Sequence, residues 1–410
     1  MERIMKKLIL SICLVAGTSI GAGMIALPMA LCKIGILPTI ILILGVWFFM
    51  YVSGILGIEL NLRAGRGLPL GKLARLYSGP IASSIGTISL ILLIYALLCA
   101  YLYGGASILQ SFFASHTGWS LELKSIVLVY AFLLGLLLIF PVGSILQVNR
   151  VLFTILLVFF SFLVCGLLYK IELSHLPLLD HSATNLRSWT EAIPVLFTSY
   201  GFQVIFHTLT NFCDKNPVIL KRSIFWGSLI PAIVYIIWTV STLGVLYRYA
   251  PQEYQQLLAG KLEVGQFIQA LAQTASWPLV QMLAAVISIV AIVKSSVGIG
   301  LALSDAWQEQ FGKLNAKRQN TLKMVSVVLT LIPPLGMALF VPQLFLKALR
   351  FGGMVSIVIA ILLPLWLITR PKAQERKVFY ALTQRQDIQM LCLGFGILVI
   401  LCEVINIIIN

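Results

Sequence analysis

Long, uninterrupted apolar stretches are the feature that most constrains what this chain can fold into. A helix needs about 20 apolar residues to cross the hydrocarbon core of a bilayer. Backbone polar groups cannot stay unpaired in that core, so the spanning structures are helices or closed barrels. Here the apolar stretches are continuous, without the polar–apolar alternation of barrel strands. The sequence therefore predicts an all-α polytopic membrane protein.

Eleven segments have the length and composition of a transmembrane helix. In residue numbers they are 9–31, 36–60, 81–111, 123–143, 150–170, 192–213, 224–247, 278–304, 324–345, 351–369 and 388–409. Only 10% of all residues are charged, against roughly 25% in a soluble domain. Lys6 and Lys7 before the first segment resemble the start of a signal peptide. The apolar run continues through Pro28 without a convincing cleavage site, so we expect an uncleaved first helix.

The distribution of Lys and Arg predicts the orientation, because basic residues are retained in the cytoplasm. With the N-terminus inside, 20 of the 29 basic residues fall on the cytoplasmic side and eight on the other, while Lys294 lies inside a span. We therefore expect a multi-pass protein of a bacterial inner membrane, with the loop at 370–387 cytoplasmic and Asn410 periplasmic. Of the two longest outer loops, 171–191 and 248–277, the second fits short amphipathic helices or a plain surface loop equally well.

The composition also bears on partners. The net charge of +15 is spread over short loops between apolar spans, so we expect contact with the lipid bilayer and none with nucleic acid. None of the seven cysteines pairs with another at metal-ligand spacing, which indicates packing residues and neither disulfides nor a metal site. We assign no catalytic residue. Glu403, near the end of the last span, is expected to be interfacial and without a role.

The first span contains a segment that is unfavourable for a continuous helix. Residues 16–28 read Ala-Gly-Thr-Ser-Ile-Gly-Ala-Gly-Met-Ile-Ala-Leu-Pro. One interpretation is close helix packing through Gly17 and Gly21. The other is a broken helix, unwound near residues 20–23, whose second half presents the positive end of its dipole to an anion. An amino-acid carboxylate fits such a site, as in the discontinuous helices of transporters.

Residues 15–24, Val-Ala-Gly-Thr-Ser-Ile-Gly-Ala-Gly-Met, resemble the first-helix signature of the hydroxy and aromatic amino acid permease family, within the amino acid–polyamine–organocation superfamily. Residues 192–202, Ala-Ile-Pro-Val-Leu-Phe-Thr-Ser-Tyr-Gly-Phe, resemble the tyrosine permeases of that family. Similarity extends through Trp238 and the patch at 333–340. The resemblance covers most of the chain and includes the count of eleven spans.

The resemblance implies one transmembrane domain built from two five-helix inverted repeats. The first repeat covers about 9–170, the second about 192–369, and an extra helix about 388–409. Spans 1 and 6 are the discontinuous pair, with the substrate between them.

It also implies the binding residues. N–H groups of Gly21, Ala22 and Gly23 would bind the carboxylate, with hydroxyls from Thr18 and Ser19. Carbonyls of Phe197 and Tyr200, next to Gly201, would bind the amino group. The side-chain pocket would be walled by Phe202 and by Tyr95 or Tyr101, for each of which a packing or lipid-facing position is an equal alternative. After Phe202 the tyrosine permeases carry His, then Gly-Ser, then Pro, whereas this chain has Gln203-Val-Ile-Phe206-His-Thr.

Lys294 is the most unusual residue inside a span. It lies about ten residues from the inner end of span 8, or about 15 Å at the helical rise. A buried ammonium is costly and usually marks function. Relatives carry a small hydroxylated residue there, and sodium-coupled members of the wider fold hold a cation against span 1. We expect Lys294 and Ser295 to be ion-coupling residues. A fixed structural cation, bound to span-1 carbonyls, is the alternative.

The combined expectation is a secondary transporter and not an enzyme. It would import an aromatic amino acid, with tyrosine the leading candidate, by proton symport with alternating access, driven by the proton motive force without a cofactor. Tryptophan, phenylalanine or a small hydroxy amino acid are alternative substrates. A membrane enzyme would need a cluster of His, Asp or Glu, and the four histidines are scattered. A channel would favour a continuous first helix.

Overall fold

The computed structural model describes residues 2–21, 23–118, 121–140, 142–172, 175–180, 184–274, 278–311 and 316–409. These residues are helical or lie in turns and loops, and none of them forms a β-strand. In chain order the helices are α1 (Glu2–Ser19), α2 (Gly23–Leu31), α3 (Ile36–Arg63), α4 (Leu70–Ser78), α5 (Pro80–Thr117), α6 (Leu123–Ile139), α7 (Val142–Lys170), α8 (Leu186–Tyr200), α9 (Phe206–Phe212), α10 (Pro217–Tyr249), α11 (Pro251–Leu258), α12 (Val264–Thr274), α13 (Pro278–Phe311), α14 (Ala316–Phe340), α15 (Leu344–Ile357), α16 (Leu363–Ile368), α17 (Pro371–Gln374) and α18 (Gln386–Ile409).

Two helices, α8 and α10, begin at clear start signals in the sequence. Asn216 caps α10 by accepting hydrogen bonds from the N–H groups of Val218 and Ile219, and Pro217 occupies the first helical position. Proline is suited to that position because its missing N–H would have no partner inside the helix. Asn185 caps α8 in the same way. These caps fix the entry points of the two helices that carry most of the site described below.

Many helices are long and apolar enough to cross a bilayer. Within the described part of the chain, eight continuous runs meet that condition, and the bent pair formed by α1 and α2 makes a ninth. Two shorter apolar helices, at Leu123–Ile139 and Val158–Lys170, occupy the places of predicted spans 4 and 5. The all-α membrane class is therefore confirmed, whereas the count of eleven spans stays a prediction. The amphipathic-helix interpretation of the 248–277 loop is correct, since α11 and α12 form there.

The interrupted helices lie together in the packing. α1 packs against α10, and α2 packs against α8 and α10. α13 packs against α5 and α7, while α15 packs against α5 and α8. α10 therefore contacts both halves of the first span, which places its buried side chains beside the break.

The segment after α17 is fastened to the end of α3. Glu59 accepts hydrogen bonds from the N–H groups of Phe379 (3.1 Å) and Tyr380 (3.0 Å), and it also pairs with Arg63 at 2.7 Å. The Arg63 guanidinium donates to the Ala373 carbonyl at 3.0 Å. A buried ion pair needs such additional hydrogen bonds to offset desolvation. The pair therefore holds the 371–385 segment against α3.

The tenth apolar run contains a π-helical turn. α15 continues through Val358–Leu362 with wider π geometry and then resumes as α16. Ser53 of α3 donates its hydroxyl to the Ala360 carbonyl inside this turn at 2.7 Å. The side chain from α3 thus satisfies an acceptor within the irregular turn.

Candidate functional site

The first span is interrupted where the glycine-rich segment predicts. α1 ends at Ser19 and α2 begins at Gly23. The two segments are inclined to each other by 54°. The Ile20 N–H still bonds the Ala16 carbonyl at 2.8 Å, and the Met24 N–H bonds the Gly21 carbonyl at 3.1 Å. Ala22 lies outside the described residues. The structure therefore has the broken form of this helix.

The carbonyls at the end of α1 are bound by side chains from other helices. The last carbonyls of a helix have no partner within it, and they carry the negative end of its dipole. The Lys294 ammonium of α13 donates to the Gly17 carbonyl at 3.2 Å. The Tyr235 hydroxyl of α10 donates to the Ser19 carbonyl at 2.8 Å. A cation and a hydroxyl thus stabilise the end of α1 inside the helix bundle.

The second interruption follows α8. Gly201 has a φ of 46°, a left-handed conformation that favours glycine. A short 3₁₀ turn at Phe202–Ile205 connects it to α9. The Tyr235 hydroxyl also lies 2.6 Å from the Ser199 carbonyl near the end of α8. One fully buried tyrosine therefore bridges the carbonyl ends of both interrupted helices.

Two close contacts fix the second half of the first span. A Cβ atom on Gly23 would lie 3.0 Å from the Ser199 Cα atom. The Ser199 hydroxyl also lies 3.3 Å from the Gly23 carbonyl. On the other side, the Trp238 indole N–H donates to the Met24 carbonyl at 3.0 Å. The start of α2 is therefore held between α8 and α10.

The predicted ion-coupling residues lie against the break. Besides the bond from Lys294 to Gly17, the Ser295 hydroxyl oxygen would lie 2.9 Å from a Cβ atom on Gly21. α13 therefore reaches the unwound residues directly. The structure brings Gly21, Gly23, Tyr200, Gly201, Lys294 and Ser295 to one region.

The hydroxyls of Thr18 and Ser19 bond within their own helix. Thr18 donates to the Leu14 carbonyl at 2.7 Å, and Ser19 donates to the Val15 carbonyl at 3.3 Å. This is the usual bond of a hydroxyl to the carbonyl four residues earlier. Both residues adjoin the break, but their protons are directed along α1.

The aromatic residues of the predicted pocket separate into two groups. Tyr200 and Tyr235 are fully buried, with ring centroids 5.4 Å apart. Tyr101 is buried. In contrast, the Tyr95 hydroxyl donates to the Leu329 carbonyl of α14 at 2.8 Å. The Tyr95 hydroxyl therefore points to α14.

The two phenylalanines of span 6 are also buried, but against different neighbours. The Phe197 ring faces Phe395 of α18 at 5.9 Å. The Phe202 ring contacts Phe206 at 5.9 Å and lies beside Gly54 of α3. Their rings therefore pack against flanking helices, while their backbone stays next to the second break.

The bulky residues that replace the family pattern after Phe202 are accommodated by α3. A Cβ atom on Gly57 would lie 2.2 Å from the Phe206 ring, so only glycine allows this contact. The Gln203 amide lies 3.5 Å from the Met50 sulfur. The bulky residues after Phe202 therefore fit because the facing helix, α3, has glycine where the Phe206 ring packs.

Tyr235, Trp238 and Ser199 are the functional candidates that the sequence interpretation missed as site residues. Trp238 and Ser199 lie in stretches that carry the family resemblance, yet the pattern assigns them no role. Tyr235 lies in the middle of an apolar span. A tyrosine hydroxyl in such a span needs a buried partner, and that was the available signal.

The structure places Glu403, to which the sequence analysis assigns no role, inside the protein. Its side chain is buried, its carboxylate lies 3.7 Å from the Arg350 guanidinium, and it accepts a hydrogen bond from the Asn406 amide at 3.2 Å. α15 and α8 pack against α18, which encloses this carboxylate among neighbouring helices.

A bundle of apolar helices in which two interrupted helices meet in the interior is typical of secondary transporters. Comparison with known proteins agrees with that class. The model of the tryptophan/tyrosine permease family matches residues 4–403. Tyrosine-specific transport system 1 of Haemophilus influenzae is 30% identical over 96% of this chain and 96% of its own length.

Two further relatives extend the comparison. Tyrosine-specific transport system 2 of Haemophilus influenzae is 26% identical, over 95% of this chain and 94% of its own length. The tryptophan-specific transport protein of Pseudomonas aeruginosa is 26% identical, over 86% and 83%. The chain belongs to the tryptophan/tyrosine permease family.

Proposed function

We propose that the chain is a secondary active transporter that imports an aromatic amino acid, with tyrosine as the preferred substrate. The observation that carries this proposal is the meeting of two helix breaks, bridged by Tyr235. Tyrosine is favoured because the relative at 30% identity is named for tyrosine transport. Tryptophan is the second candidate because a relative at 26% is named for tryptophan.

The substrate would bind between the two breaks. The start of α2 at Gly23 presents the positive end of a helix dipole, which favours a carboxylate. The carbonyl ends of α1 and α8 present the negative ends, which favour an ammonium group. Gly21, Gly23 and the carbonyls near Tyr200 and Gly201 are the residues so placed. Both charged groups of an amino acid therefore have complementary backbone partners.

The proposal of proton symport rests on the position of Lys294 beside the first helix break. Its ammonium bonds the Gly17 carbonyl at 3.2 Å, in the last turn of α1. There it takes the place that a bound cation would occupy against span 1. Loss of its proton would remove the positive partner of this carbonyl and loosen the contact between α13 and α1. Protonation of Lys294 would thereby be coupled to the arrangement of the break, as alternating access driven by the proton motive force requires.

The architecture proposed with this function has two inverted repeats and eleven spans in an inner membrane, with the N-terminus in the cytoplasm. An interruption in the first helix of each half supports the repeat. The excess of Lys and Arg in alternate loops supports the orientation.

The substrate is tested by uptake of labelled tyrosine into proteoliposomes under an inward proton gradient. Unlabelled tyrosine should compete most strongly, followed by tryptophan and phenylalanine, with serine weakest. If tryptophan competed most strongly, tryptophan and not tyrosine would be the preferred substrate. Absence of uptake of any aromatic amino acid would refute the proposed function.

The coupling role is tested with Lys294→Thr, assayed under a proton gradient, a sodium gradient, or neither. We expect the variant to exchange tyrosine across the membrane but to lose concentrative uptake, since the titrating group is gone. Lys170→Thr is the matched control: Lys170 also donates to a backbone carbonyl, that of Thr274 at 2.6 Å, but at the end of α7. Sodium dependence, or loss of exchange, would identify Lys294 as a fixed structural cation. Unchanged gradient dependence would exclude both roles.

A further inference from the structure

A cavity of about 450 Å³ opens at the end of the molecule that the charge distribution predicts to be periplasmic. Its wall is formed by the end of α2, the start of α8, the loop between α11 and α12, and the start of α15. Pockets for small molecules are typically about 300–1,000 Å³. The cavity is therefore large enough for one amino acid, and it lies beyond the helix breaks towards this end.

The charges of the cavity wall favour a carboxylate. Four basic and two acidic side chains line it: Lys33, Arg187, Lys347, Arg350, Glu191 and Glu263. Charges of one sign that line a concave surface concentrate ligands of the opposite sign. The excess of positive charge is thus suited to an anionic group, while Met29 and Leu257 supply an apolar wall.

The two acidic side chains are already engaged. Glu191 bonds the Lys33 ammonium at 2.7 Å and the Arg187 guanidinium at 3.2 Å. Glu263 accepts a hydrogen bond from the Tyr103 hydroxyl at 3.1 Å. Neither carboxylate therefore needs Arg350 to satisfy its hydrogen bonds.

Arg350 differs from these carboxylates because its guanidinium is not within hydrogen-bond distance of an acidic side chain in the described part of the chain. Its guanidinium lies 3.7 Å from Glu191 and 3.7 Å from Glu403, beyond hydrogen-bond distance in both cases. Its side chain is only 11% exposed, and its buried Nε–H group donates no hydrogen bond to any residue that the structure describes. Buried donors left without an acceptor cost free energy. A guanidinium can also bind a carboxylate through two parallel N–H bonds.

We propose that Arg350 binds the carboxylate of the incoming amino acid in this cavity, before the substrate reaches the helix breaks. The ligand class is a free α-amino acid with an apolar side chain, and the inference rests on the proposed function for that choice. The ligand carboxylate would supply a hydrogen-bond acceptor for the guanidinium, because the carboxylates of Glu191 and Glu403 are too distant to do so. The cavity is thus an outer recognition site, separate from the breaks.

The test measures initial rates of tyrosine uptake by Arg350→Gln in proteoliposomes. Loss of a charge-assisted bidentate contact should raise KM about tenfold, with the maximal rate within twofold of wild type. Arg187→Gln is the matched control, because it removes the same charge from the same cavity but its guanidinium already bonds Glu191. Its KM should stay within twofold of wild type.

Two further variants guard against misfolding. Arg350→Gln/Glu403→Gln removes the carboxylate that the single change would leave unpaired, and its KM should equal that of the single variant. Arg350→Lys keeps the charge but loses the planar fork, so we expect a KM about threefold above wild type. Unchanged KM in these variants, or an equal rise in Arg187→Gln, would overturn the proposal. Lack of uptake by the wild type would instead refute the proposed function.

Discussion

At the scale of single residues, Tyr235 has the largest structural consequence. Its one hydroxyl proton faces two carbonyls, those of Ser19 at 2.8 Å and Ser199 at 2.6 Å. Each carbonyl belongs to the end of a half-helix, where no backbone donor is in place. Tyr235 therefore determines how the two breaks are positioned relative to each other.

We predict that Tyr235→Phe lowers tyrosine uptake at least tenfold and reduces the melting temperature of the purified protein. The Ser19 and Ser199 carbonyls would lose their hydroxyl donor, and a buried carbonyl without a donor destabilises the fold by about 1–3 kcal/mol. Tyr254→Phe is the matched control, because the Tyr254 hydroxyl is buried without a hydrogen-bond partner among the described residues. Its removal should leave uptake and melting temperature at or above wild type. Equal effects of the two variants would show that Tyr235 contributes only packing.

Part of this site could be predicted from the sequence, because some of its residues are unfavourable within an apolar helix. Three glycines with Thr18 and Ser19 are visibly poor helix formers, and a lysine in an apolar span is conspicuous. The tyrosine hydroxyl at 235 indicates only that a buried partner is needed, and Ser199 gives no signal, because the partners of both residues lie on other helices. The sequence does not show which aromatic residues wall the pocket, since it does not say which helix a buried ring faces.

At the scale of elements, the contact of α2 with α8 determines what a change at Gly23 would do. If the Gly23 N–H binds the ligand carboxylate, a side chain at this position would also fill space that the ligand needs. The structure places Ser199 in that direction, with its Cα atom 3.0 Å and its Cβ atom 3.2 Å from a Cβ atom on Gly23. A side chain at this position therefore strains the packing of the two helices first.

We predict that Gly23→Ala destabilises the protein by about 1–3 kcal/mol, as overpacking of a well-packed interior does. Thermal unfolding in detergent measures this effect. Gly45→Ala in α3 is the control, because a Cβ atom there meets no atom within 4 Å. That change should be neutral or stabilise by about 0.5–1 kcal/mol through helix propensity. An unaffected Gly23→Ala protein would show that α2 and α8 separate easily.

At the scale of the whole molecule, the 371–385 segment joins distant parts of the chain. Glu59 and Arg63 bind it to α3, and the Tyr380 hydroxyl donates to the Pro217 carbonyl at the start of α10 at 2.7 Å. Lys377 remains exposed in this otherwise fastened segment. It is therefore a suitable position from which to read the orientation of the molecule.

We predict that a cysteine at Lys377, in a background without the native cysteines, reacts with a membrane-impermeant maleimide only from the cytoplasmic side. Twenty basic residues on the predicted inner side give this direction. A cysteine at Leu179, which is 69% exposed in the loop before α8, should react only from the other side. Labelling is measured in right-side-out and in inside-out vesicles. The reverse labelling pattern would show that the topology is inverted.

The π turn in Val358–Leu362 has a consequence for the ancestry of this helix. Such a turn contains one residue more than the regular ladder, so it has the form of a single-residue insertion. One residue rotates a helix by about 100°. α15 faces α5 and α8, whereas α16, after the turn, faces α3 and α4. An ancestor lacking that residue would have presented a different face of its second half to α3. Single-residue gaps at 358–362 in distant relatives would therefore mark a change of helix partner, not a loss of function.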